Sequence, residues 1–193
     1  MRSLIIKTKF IAPSNPELRW VNKKLWKKYN ESVNFPLTVI KAGPGYGKST
    51  TLSSYLNENY KNDYYWYSID ELDTDPALFF LNFIHAFKFE NENIGDEAIR
   101  FLNQSGNKGI PLKQVLDIFI NELLNEINDE KFIILDDFHL VNDKNKITEL
   151  LTYFIKRIPP NLHLIISSRE DLNFSQFANW KLKRKLLLIN EED

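Results

Sequence analysis

The stretch AGPGYGKST, residues 42–50, packs three glycines and a proline into six positions and follows them at once with Lys48, Ser49 and Thr50. A run of this kind is informative only in one context, between a strand and a helix. That context is present. FPLTVIKAG (35–43) is a short β-branched run that ends in glycine and reads as a buried strand. From Lys48 the pattern turns helical, with Leu52, Tyr55 and Leu56 at i, i+3 and i+4. Glycine in the connecting loop lets successive backbone N–H groups point inward at anionic oxygens, and the following helix adds the positive end of its dipole. The expected nucleotide-binding residues are therefore Gly43, Gly45, Tyr46, Gly47, Lys48, Ser49 and Thr50. Lys48 reaches the β- and γ-phosphates, the Ser49 hydroxyl ligates Mg²⁺, and Thr50 offers a donor to the α-phosphate. Ala42 stands where glycine is usual, and a small residue meets the demand of that turn.

A partner motif lies downstream. FIILDDFH (132–139) carries four apolar residues to a strand's C-terminal end, where open α/β sheets bind their ligands. Asp136 is placed to hold Mg²⁺ through its water shell, and two adjacent carboxylates at a strand end repel each other without a cation. Asp137 either orients an attacking water as a weak general base or caps the turn that follows. A third strand, LIISSRED (164–171), ends in Ser167, Ser168 and Arg169. Arg169 either reports the γ-phosphate or forms a surface ion pair with Glu170 or Asp171. Asp137, Lys48 and Arg169 are the expected catalytic residues, and Ser49 and Asp136 the expected metal ligands.

The rest of the chain alternates strands with helices. YYWYSID (64–70), KFIILDD (131–137), LHLIISSR (162–169) and KLLLI (185–189) read as strands. Asp75 and Pro76 open a helix over 74–89 as N-cap and first helical residue, with Asn82, His85 and Lys88 as one narrow wet stripe on a buried element. Residues 91–111 read as a loop with one short helix at 96–103. The clearest amphipathic face runs over 112–127, through Leu112, Val115, Leu116, Phe119, Ile120, Leu123, Leu124 and Ile127. A further helix over 146–158 is expected to stop at Pro159-Pro160. This spacing predicts an α/β fold with a parallel sheet and helices on both faces; with the phosphate-binding loop it reads as a P-loop NTPase, and a five-stranded sheet of order 5-1-4-3-2 is expected. Residues 1–35 read as an N-terminal arm with a short helix around 19–29, and 36–190 as the nucleotide-binding domain.

Composition narrows the classes. Lys plus Arg is 25 and Asp plus Glu 26, a net charge of −1, which argues against a bulk polyanion binder. There are no cysteines, so disulfides and thiolate metal sites are excluded. No stretch approaches the ~18 apolar residues of a membrane span, and the first ten residues lack a signal peptide's apolar run. A cytoplasmic protein with no membrane partner is expected. The lysines of WVNKKLWKKY (20–29) and KLKRK (181–185) read as solvated faces, and the acidic cluster Asp70, Glu71, Asp73 and Asp75 as a turn and a cap.

Taken in order, AGPGYGKSTTL, YWYSIDELDTDPALFFLNFIHAF, GDEAIRFL, FINELL, FIILDDFHLV and RIPPNLHLIISSRED, with KTKFIAP before them, resemble the ATPase domain of the MalT-like regulators. These are STAND-class signal-transduction ATPases, many of them LuxR-type transcription activators, and the resemblance runs from about Ile5 to Ile189. It implies a switch that binds ATP or ADP with Mg²⁺, hydrolyses ATP slowly as a weak ATPase, and favours self-association in its ATP form. It also implies that the lid, sensor and DNA-binding domains lie outside this chain, so that DNA is contacted only through them. Basic residues near the end of the arm are usual in the family, with Arg19 and Lys23 as candidates. The alternative is a stand-alone P-loop ATPase or small-molecule kinase unrelated to transcription. Residues 91–111 offer only Arg100 as a kinase-type lid arginine, and no NKxD sequence points to guanine.

Overall fold

The computed structural model describes residues 5–14, 22–104 and 111–192. Five strands form one sheet: β1 Leu37–Lys41, β2 Tyr64–Ser68, β3 Lys131–Asp136, β4 Leu162–Ser168 and β5 Leu186–Ile189. Every pairing is parallel and the order is β2-β3-β4-β1-β5, as expected from sequence. The central β4 is buried along its whole length, which is why it reads as an apolar run interrupted only by His163 before the serines at its end.

Seven helices join the strands among the described residues: α1 Lys23–Asn30, α2 Lys48–Asn59, α3 Pro76–Glu90, α4 Asp96–Gln104, α5 Leu112–Glu126, α6 Asn145–Ile155 and α7 Phe177–Leu182. The sheet divides the interior in two. On one face, α1 and α2 set Tyr29, Leu52, Tyr55 and Leu56 against Ile40, Trp66, Phe132, Ile134 and Ile165. On the other, α3, α5 and α6 bury a larger apolar mass against Val39, Tyr67, Ile133, Leu135 and Ile166. Phe83 sits at the centre of that mass. Its ring lies 5.2–6.5 Å from those of Phe79, Phe80, Phe87, Phe119 and Phe154, mostly edge to face.

Several boundaries differ from the sequence reading. The 131–137 strand ends at Asp136, because Asp137 turns into the left-handed region at φ 57°. The strands read over 64–70 and 162–169 stop at Ser68 and Ser168, and the last begins at Leu186. The helix expected to run to Ile158 stops at Ile155; the Arg157 N–H then bonds to Phe154 O in a tight three-residue turn, ahead of the prolines. Leu124, assigned to the buried face of α5, is half exposed. The short arm helix begins at Lys23, its N-terminus capped by Asn22, whose side chain accepts the N–H groups of Lys24 and Leu25. Arg19 lies outside the described residues, and Lys23 is exposed.

The wet stripe expected on α3 is not uniformly wet. Asn82 is buried and donates to Asp73 Oδ1 at 2.9 Å. Asp73, fully buried, accepts Lys9 Nζ on both oxygens, at 2.9 and 2.8 Å, and the Asp70 N–H at 2.9 Å. Lys9 also meets Asp70 at 2.9 Å. The acidic cluster after β2 is thus more than a turn and a cap: half of it neutralises a lysine from the arm. Phe10 completes the junction, its ring 6.2 Å from Tyr67 and 6.0 Å from Phe89.

Candidate nucleotide site

Parallel pairing aligns the C-terminal ends of β1, β3 and β4, so that three loops meet at one edge of the sheet. The glycine-rich loop leaves β1, the Asp136-Asp137 pair ends β3, and Arg169 follows β4. The loop's turns are taken at Gly45 and Gly47, whose φ angles of 81° and 69° strain any residue with a side chain. Gly47 is the N-cap of α2, so Lys48 and Ser49 open the helix with their amides toward the loop.

The side chains named from sequence converge there. Ser49 Oγ donates to Asp136 Oδ1 at 2.8 Å, joining the start of α2 to the end of β3 across 87 residues of chain. Asp136 is only 5% exposed. Burial pushes its carboxyl above the ordinary carboxylate value, and the Ser49 hydrogen bond acts the other way. Lys48 Nζ donates to Ala42 O at 2.6 Å and to Gly43 O at 2.8 Å, so the ammonium rests against its own loop. Partial burial draws its pKa below the usual lysine value, while Asp137 pulls upward. Tyr46 is exposed at the loop's tip.

Asp137 and Asp136 part company at the strand end. The left-handed turn carries Asp137 out to partial exposure, where Oδ1 lies 3.8 Å from Arg169 Nη2 and 3.7 Å from His139 Nδ1. Burial lowers the His139 pKa. Of the two surface partners considered for Arg169, Asp171 is instead bonded to Lys41 at 2.7 Å. Arg169 remains nearly half exposed, at the same edge as Lys48.

Two contributors were missed in the sequence. The arm helix α1 supplies Asn22, Leu25 and Tyr29 to the wall of a hollow of about 140 Å³ beside the loop. Glu191, beyond β5, closes its other side and accepts the Gly43 N–H at 2.5 Å. The aromatic content of 20–29 was the available signal for the first. Nothing local marks Glu191 among the four polar residues of NEED.

Comparisons with known proteins agree with this architecture. A family model described as Nephrocystin 3, N-terminal, matches residues 18–169. The HTH-type transcriptional regulator MalT of Vibrio cholerae is 27% identical over 190 residues, covering 97% of this chain and 20% of that protein. MalT of Serratia proteamaculans is 27% identical over 186 residues, with 95% and 20% covered. The chain thus spans about a fifth of the length of these curated relatives. Among solved structures, a Walker-type ATPase of Pyrococcus abyssi superposes with a TM-score of 0.56 at 19% identity, covering 92% of this chain and 56% of that one. A Drosophila ORC structure bound to AT-rich DNA and Cdc6 gives 0.54 at 14% identity, covering 87% and 53%. At such identities the likeness bears on the fold, which is that of the P-loop ATPases.

Proposed function

Since the chain belongs to the family described as Nephrocystin 3, N-terminal, and is MalT-like over about 95% of its length, we propose that it is the ATP-binding, slowly hydrolysing switch domain of a STAND-class regulator. The observation that carries the reading is the Ser49–Asp136 hydrogen bond. It brings the hydroxyl of a phosphate-binding loop against a strand-end carboxylate, with Lys48 alongside.

In this reading Gly43, Gly45, Tyr46, Gly47, Lys48, Ser49 and Thr50 surround the nucleotide. Lys48 exchanges its two carbonyl partners for phosphate oxygens, a gain because a charged acceptor replaces neutral ones. Ser49 and Asp136 offer Mg²⁺ hard oxygen ligands, and a hydroxyl with one carboxylate is the sparse donor set that suits an ion sharing the nucleotide's phosphates. Bound there, the ion would neutralise phosphate charge. Asp137 orients the attacking water. The larger protein is a transcription activator that self-associates in the cytoplasm, and domains other than 36–190 supply its lid, sensor and DNA contacts. No described helix is long and apolar enough to cross a membrane.

Calorimetry tests the reading. The chain should bind Mg-ATP and Mg-ADP in preference to GTP, and Lys48→Ala should weaken binding at least about tenfold, ~1.4 kcal/mol, through loss of a charge-assisted phosphate contact. Equal, non-saturating heats from the two proteins would rule nucleotide binding out.

Arg169 gives a sharper test of the switch. A guanidinium at the β4 edge gains most when a γ-phosphate adds charge and acceptors. Arg169→Ala should weaken binding of a non-hydrolysable ATP analogue more than binding of ADP, by roughly 1–2 kcal/mol for one charge-assisted contact. Equal losses for the two nucleotides would remove Arg169 as a γ-phosphate sensor.

A further inference from the structure

Beyond β5 the chain crosses the mouth of the glycine-rich loop and is fixed at two adjacent points. Glu191 Oε1 accepts the Gly43 N–H at 2.5 Å, and the carbonyl of Glu192 accepts Lys24 Nζ from α1 at 2.9 Å. A Cβ added at Gly43 would stand 3.3 Å from the same carboxylate oxygen, a close approach of the side chain to the loop backbone. The carboxylate acts electrostatically on Lys48, whose ammonium is meanwhile turned onto Ala42 O and Gly43 O. A loop built to receive anions therefore holds one that belongs to its own chain.

We propose that Glu191 is a displaceable latch on the glycine-rich loop: an intramolecular anion that engages the loop's leading amide and must withdraw before a nucleotide's phosphates settle. The proposal rests on the nucleotide reading above and adds a regulator to that site. Glu191 and a polyphosphate carry the same sign of charge and face the same lysine, so their occupancy is mutually opposed. Because Glu191 is exposed and makes a single hydrogen bond to an exposed amide, the latch contributes little to the fold and opens readily. Its effect is on availability. The loop accepts nucleotide only in the open fraction, and the apparent dissociation constant rises by the inverse of that fraction.

The test is rapid mixing with Mg-ATP, alongside calorimetry, on the wild type, Glu191→Gln and Glu191→Ala. Gln keeps an acceptor but removes the charge; Ala removes both. Both variants should bind about fivefold tighter or better, through faster association and with an unchanged dissociation rate, since the latch competes for the free loop and leaves the filled one alone. Their thermal unfolding without nucleotide should match the wild type. Unchanged affinity in both variants, with Lys48→Ala still losing binding, overturns the latch and leaves the nucleotide reading standing. Weaker binding with faster dissociation also overturns it, because Glu191 would then be a nucleotide ligand. Absence of binding in all three proteins overturns the nucleotide reading and the latch together.

Discussion

Replacing Asp73 with alanine is expected to destabilise the protein by about 3–5 kcal/mol, the usual cost of removing one partner from a buried ion pair. Asp73 is fully buried and takes four hydrogen bonds: two from Lys9, one from the Asp70 N–H and one from Asn82. Without it, the Lys9 ammonium stays in a site that is only 9% exposed, with Asp70 as its one remaining carboxylate among the described residues. Asn82 loses its acceptor at the same time, and an unsatisfied buried amide adds its own penalty. Asp70 limits the damage, so the lower end of the range is favoured. Urea unfolding gives the value directly from the shift in midpoint. A loss below about 1 kcal/mol would mean that water reaches Lys9 and that the arm is not anchored by charge. Replacing Lys9 and Asp73 together by apolar residues should recover only the part due to the unpaired ammonium, because Asn82 and the Asp70 N–H still lose their acceptor.

Phosphate release under saturating Mg-ATP is expected to be slow, on the order of 10⁻² s⁻¹ or less against the ~1–100 s⁻¹ typical of kinases. The residue proposed to orient water is an aspartate, one methylene shorter than glutamate. It also starts from a left-handed backbone position and lies 3.8 Å from the Arg169 guanidinium and 3.7 Å from His139. In the proposed reading Arg169 is drawn to a γ-phosphate when one is present, which leaves Asp137 to orient water. A steady-state assay decides the matter. Turnover of several per second would contradict the switch and restore a stand-alone enzyme as the better description. Asp137→Asn should lower the residual rate further while leaving ATP affinity nearly intact, since the residue is proposed to act on the water and not on the nucleotide.

Much of the candidate site was legible because its signals are local. The spacing from Gly43 to Thr50 sits between a β-branched run and a helical one, and FIILDD shows its strand and its carboxylates together. The strand order followed from placing those two strand ends and LIISSR at one edge. What escaped was decided by partners far away in the chain. Asn82 reads as solvent-facing on its own helix, and only Lys9, brought in from the arm, turns Asp73 into the buried acceptor that Asn82 needs. Arg169 reads as a neighbour of Asp171 until Lys41 takes that carboxylate. Leu124 falls on the apolar stripe of α5, but the stripe is wider than the surface covering it. Glu191 meets Gly43 across 148 positions, with no periodicity to announce it.

The two interiors on either side of the sheet have a consequence for how such a domain tolerates change. Successive residues of one strand belong to different compartments: in β3, Phe132 and Ile134 face α1 and α2, while Ile133 and Leu135 face α3, α5 and α6. Side chains on opposite faces share no neighbours, and the energetic effects of substitutions without shared partners add nearly independently. The aromatic mass around Phe83 can therefore be remodelled by substitution while the thin layer beneath α2, which carries Lys48 and Ser49, keeps its geometry. The sheet acts as a partition between a compartment free to drift and one tied to the candidate site.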